Sequence, residues 1–169
     1  MENCIPLGKE RSSRVADTLS QRGDIAMELL AAPSGTRTLA RPLSDLLAFE
    51  HERLIKRYIK DFGVPAETAR LRFTGFKQFI AVCGLMDGHK VTSDTIDSVW
   101  HTFLLFTRDY ADFCRDYLGR FIHHEPFENP NPGAYVATRS YAEKLYGPLD
   151  ETLWPLNAKG DCSSGCCRD

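Results

Sequence analysis

Within the stretch DSVWHTFLLFTRDYADFC, residues 97–114, Asp97 and His101 stand four apart, a tryptophan lies between them at Trp100, and the run closes on Cys114. Four residues is just over one helical turn, so on a helix Asp97 and His101 project from the same side. One chemistry has Asp97 orienting the imidazole while the other ring nitrogen binds a metal, the usual support behind a ligating histidine. In another, Asp97 is itself a ligand beside His101. A third reading has no site at all, only a polar pair satisfying itself at the edge of the core.

A second pair, His123 and His124, follows in RFIHHEPFENPNPG. Adjacent side chains of an extended segment point to opposite sides, so one of these two can face inward while the other faces out. His101, His124 and Asp97 could then meet, with Cys114 as a fourth ligand. Such a mixed N, O and S set suits zinc, and imidazole with carboxylate also suits iron or another first-row metal. No compact Cys-x-x-Cys pair is present to make the assignment specific.

Nothing in the motifs names a reaction. A cysteine hydrolase would need a thiolate within reach of a base and an oxyanion site, whereas Cys114 ends an aromatic run and reads as buried. There is no Gly-rich phosphate loop and no His-Glu-x-x-His arrangement. The six cysteines are Cys4, Cys83 and Cys114, spread singly, and Cys162, Cys166 and Cys167, crowded into the last eight residues. A disulfide framework would be spread through the fold, so these read as free thiols or metal ligands of a reducing compartment. The tail group could bind a soft metal, form mixed disulfides or be modified.

A chain of 169 residues, 43% hydrophobic and 26% charged, is long enough for one domain with its own core. A net charge of -2 excludes broad, non-specific nucleic-acid binding, which needs a basic surplus. No apolar run approaches the ~18 residues of a membrane span, and the first residues have no signal-peptide core. The expectation is a cytoplasmic protein.

For the candidate residues to meet, the chain must fold back between them. On one unbroken helix His101 and Cys114 would lie roughly 20 Å apart along the axis and about 220° apart around it. Thr107, followed by Arg108 and Asp109, reads as a new helix start, which predicts helices over about 94–105 and 108–118, capped by Ser93 and ended by Gly119. Upstream, Ser44 predicts the N-cap of a helix that runs through Leu47, His51, Leu54, Tyr58 and Phe62 to Gly63, with His51 on its apolar stripe. Phe73, Phe76, Ile80 and Cys83 share a face of the next helix, which Gly84 closes, and Asp87-Gly88 marks a turn. A last helix carries Thr138, Tyr141 and Leu145 on one face and stops at Gly147-Pro148; Trp154 anchors the turn beyond it. The fold class is all-α, an irregular bundle of about five helices with a Pro-rich loop and a flexible Cys-containing tail. Residues 1–40 form an N-terminal arm with a marginal helix, 41–157 a single helical domain, and 158–169 the flexible tail.

The run IDSVWHTFLLFTRDYADFCRDYLGRFIHHEP resembles the glycine-rich domain-containing protein-like family, whose signature is an Asp-x-x-Trp-His block, a Leu-rich step, Ser or Thr, Tyr, Cys, Gly and a later His. Those positions here are Asp97, Trp100, His101, Thr107, Tyr110, Cys114, Gly119 and His124. The downstream TRSYAEKLYGPLDETLWP is similar in its Thr, Tyr, Gly and Trp order, so the resemblance covers roughly residues 91–155 and is weaker over 44–90. Members often carry a second histidine where this chain has Phe103, and the glycine-rich region is missing. The resemblance implies a helical fold and singles out these positions; it implies no reaction.

Together these readings predict a small helical protein that binds a transition metal, zinc by preference, through His101 and His124, with Asp97 as ligand or orienter and Cys114 as a further ligand. Its role would be that of a structural or regulatory module for a protein partner, with no membrane span. A metal-dependent or thiol enzyme using the same pocket is one alternative. A scaffold whose tail cysteines Cys162, Cys166 and Cys167 are redox or modification targets is the other.

Overall fold

The structure is a computed structural model that describes residues 37–125 and 132–156 and the backbone of Cys166–Cys167. The marginal helix expected before residue 36, Cys4 and Cys162 lie outside the described residues. From Arg37 onward the elements form one compact unit. They are α1 (Leu43–Ala48), α2 (Glu52–Phe62), α3 (Ala66–Leu85), the two-residue strand β1 (Lys90–Val91), α4 (Asp94–Leu104), α5 (Thr107–Phe113), a π-helical turn (Cys114–Leu118), α6 (Pro132–Tyr146) and β2 (Cys166–Cys167). The all-α class is as expected.

α3 is the centre of the bundle. A helix that is apolar on most of its circumference must be surrounded, and Phe73, Phe76, Phe79, Ile80, Val82 and Cys83 are all buried. Gly75 permits a close approach: a Cβ there would lie 3.1 Å from Leu153 Cδ1 and 3.3 Å from Ile96 Cγ1, so α4 and the turn around Trp154 lie almost against the α3 backbone. Trp154 is fully buried, as its size predicts.

The helix expected from Ser44 to Phe62 is instead two, and the reason is packing. Phe49 leaves the helical path and its ring enters an aromatic cluster with Phe73, Phe103, Phe113 and Tyr117. Breaking a helix orphans donors and acceptors, and both sets find partners. Lys77 Nζ donates to the carbonyls of Leu47 and Phe49. His51, the N-cap of α2, accepts from Leu54 N at 3.0 Å through Nδ1. The N-cap of α1 is Pro42, and Ser44 lies within the first turn. Phe62, expected on the buried stripe, is 47% exposed and stacks on Tyr58.

Ser93 caps α4 as predicted, accepting from Ile96 N and donating to Leu153 O. The chain breaks at Leu105–Phe106, one residue from the expected place; Phe106 rather than Thr107 is the N-cap of α5. Gly119, with φ 73°, ends the π turn and reverses the chain. In α6 the buried face is Tyr135, Thr138 and Ala142, while Leu145 is exposed. Thr138 sets that rotation, because its Oγ1 accepts from Val91 N and donates to Ala134 O. The tail does not stay wholly clear of the fold: Cys166–Cys167 pairs antiparallel with Lys90–Val91, with Lys90 opposite Cys167.

Candidate metal centre

α4 supplies two of the candidate side chains at i and i+4. Asp97 is buried, with only 4% of its side chain exposed, and His101 is 57% exposed. Their helix sets the spacing, and Trp100, fully buried, sets the rotation that sends Asp97 inward and leaves His101 at the rim.

The segment after Gly119 supplies the third. Its side chains alternate as an extended strand must: Ile122 and His124 face the bundle, and Phe121 and His123 face out, ring against ring at 4.8 Å. His124 is thus the inward histidine of the pair. Its ring packs on Trp100 at 4.2 Å and on His101 at 4.5 Å, the two imidazoles only 18° from parallel.

The Asp97 carboxylate reaches both of the stacked imidazoles. His124 Nε2 is 3.0 Å from Asp97 Oδ1 and His101 Nδ1 is 3.6 Å from Asp97 Oδ2. One donor atom from each of the three residues lies within 4.8 Å of the others. A tetrahedral ion with bonds of about 2.0 Å separates its ligand atoms by about 3.3 Å, within the 4.8 Å that contains these three donor atoms. Two imidazoles and a carboxylate suit zinc, iron and other first-row divalent ions. These three residues could hold such an ion; Asp97 is the buried member of the group and His101 the exposed one.

Cys114 is not in this group. It is buried in the core, and burial pushes its thiol pKa up, against smaller downward pulls from the Ile122 backbone and the Tyr110 side chain. Neither Cys114 nor Cys83 forms a disulfide among the described residues. Of the tail cysteines, Cys166 and Cys167 form β2.

Reading by spacing overlooked the part played by Tyr110. Its hydroxyl accepts from Trp100 Nε1 at 3.0 Å and donates to Ile122 O at 2.6 Å. Its place in the Trp-His-Thr-Tyr order was the only signal, and that order does not say what the hydroxyl reaches. His51, seen on the α2 stripe, makes a separate contact: its Nε2 lies 2.9 Å from Asp109 Oδ2, tying α2 to α5.

Fold and site together define a helical bundle with an Asp-His-His group on the flank of one helix. The chain belongs to the UCP032817-like family, which it matches over residues 47–133, a span holding every member of that group. The match begins earlier in the chain than the resemblance seen from the Asp-x-x-Trp-His block and stops before most of α6. It supports a family of unsettled function and not the glycine-rich name. No curated protein and no solved structure matches the chain. Among the described residues no helix is long and apolar enough to cross a membrane.

Proposed function

We propose that this protein is a metal-dependent helical module that holds one first-row transition ion, zinc by preference, between Asp97, His101 and His124. The observation that carries the reading is the buried Asp97 carboxylate in contact with two stacked imidazoles that come from distant parts of the chain. Burying a carboxylate is costly unless it is paired; the His124 hydrogen bond pairs it here, and a cation held by the three groups would do so in its place.

Three protein donors leave a tetrahedral ion with a vacant position. Here it would face the His101 side, where Leu105, one turn further on, is 62% exposed. A side chain of a protein partner could complete the coordination there, which supports a regulatory role rather than a sealed structural site. The same open side favours a second reading, a metal-dependent enzyme that presents water or a small substrate at that position. Cys114, buried and with a raised thiol pKa, supports no thiol chemistry.

The test is elemental analysis of protein purified without a polyhistidine tag, followed by zinc titration. One ion per chain is expected in the wild type, with loss in His124→Ala and weakening in His101→Ala while both variants keep their helical spectrum. A wild-type chain that takes up no stoichiometric metal overturns the proposal.

A further inference from the structure

We infer that Tyr110 is the positioning residue for His124, and through it for the Asp97-His101-His124 group. Only the chemical consequence of this inference rests on the metal reading; the placement of His124 does not.

Tyr110 comes from α5, on the far side of the chain break from α4, and its side chain is almost fully buried. Its ring is held edge-to-face with Phe103 at 5.3 Å and 80° and with Phe121 at 5.2 Å and 87°. That hydroxyl joins the two elements that carry the site. It takes the Trp100 indole proton from α4 and gives its own proton to the Ile122 carbonyl, two residues before His124. In an extended segment residues two apart share a face, so fixing Ile122 fixes the side on which His124 emerges. Trp100 completes the loop by packing directly on the His124 ring.

The segment is held at two further points. Arg120 Nη2 donates to Cys83 O at 2.7 Å at the end of α3, and His124 itself reaches Asp97. Arg120 fixes where the segment starts, and Tyr110 fixes its register one residue pair before the imidazole. Cys114, whose thiol neighbours both the Ile122 backbone and Tyr110, belongs to the same support. Without the Tyr110 hydroxyl the buried Ile122 carbonyl loses its partner, and the segment can relieve this only by moving towards water. That movement takes the imidazole away from Asp97.

The experiment compares Tyr110→Phe with Tyr58→Phe. Tyr58 is equally buried, but its hydroxyl bonds Ser98 Oγ and the Arg72 guanidinium instead of the 120–124 segment. Amide exchange over residues 121–125 and the His124 ring signals are followed by NMR in metal-free protein, and zinc affinity is measured by competition with a chromophoric chelator. Tyr110→Phe is expected to speed exchange of the segment about fivefold, the factor of an ordinary hydrogen bond, to shift the His124 ring signals and to weaken zinc by a similar factor. Tyr58→Phe should do none of these. Unchanged exchange and ring signals in Tyr110→Phe, or equal changes in both variants, would overturn the inference. If the wild type takes no zinc but Tyr110→Phe frees the segment, the positioning role stands and the metal reading falls. Should Tyr110→Phe not fold, the wild-type hydroxyl proton decides: slow exchange supports the bond, and exchange at the solvent rate overturns it.

Discussion

His124 Nε2 lies 3.0 Å from Asp97 Oδ1 although 27 residues of chain separate them. Asp97→Ala removes the only carboxylate in the Asp97-His101-His124 group and should abolish zinc binding. It should also lower stability by about 1–3 kcal/mol, since the His124 ring is left buried without that partner. Elemental analysis and urea unfolding measure the two effects. Asp97→Asn should keep most of the stability and still lose the ion, because a neutral amide is a poor ligand.

Acidification should release the ion, because imidazole binds a metal only in its neutral form. Zinc titrated at descending pH should show affinity falling with a slope of about two protons per ion, reduced to about one in His101→Ala. A pH-independent affinity would count against both histidines as ligands.

Cys114 gives a contrasting expectation. Its thiol is buried and its pKa is raised, burial being the main cause, so it should resist iodoacetamide in the native protein and react only after unfolding. Cys114→Ala should cost about 1–2 kcal/mol through lost packing yet still bind one ion. Loss of the metal in this variant would restore Cys114 as a ligand.

Lys77 predicts an alkaline effect. Burial pushes its ammonium pKa down, against a smaller upward pull from Glu50. Between that lowered value and the ordinary lysine value, the unfolded chain holds a proton that the folded one has released. Lys77 therefore makes stability rise with pH across that window. Lys77→Met should flatten the rise in urea unfolding measured towards pH 10, and should cost about 1–3 kcal/mol at neutral pH by orphaning the Leu47 and Phe49 carbonyls.

His51 should prove structural. His51→Ala removes the α2 cap and the Asp109 contact and should cost about 1 kcal/mol in thermal unfolding. His51→Asn should recover the cap, and neither variant should alter zinc affinity. A metal defect in either would show that the two histidine sites are coupled.

Much of the local structure was legible from residue types. Ser93 as a cap, Gly63, Gly119 and Gly147 as stops with positive φ, and the break near Phe106 are local properties, set within a few residues of chain. So is the same-side projection of Asp97 and His101, which needs only helix geometry, and the inward parity of one histidine in the His123-His124 pair. The sequence alone also singled out Asp97, His101 and His124 as a group, together with Cys114, which the structure leaves outside it.

What tertiary structure alone decided is which distant surfaces meet. Phe49 breaks the helix expected through His51 because an aromatic cluster built from α3, α4 and α5 has room for its ring, and no pattern within 44–62 contains that information. Cys114 falls outside the group, buried in the core at the start of the π-helical turn that follows α5. The Tyr110 hydroxyl gains its role only once Trp100 and Ile122 are brought to either side of it. Spacing along the chain fixes angles within one element; the distance between elements is set by how their side chains pack, and the chemistry of this group depends on that distance.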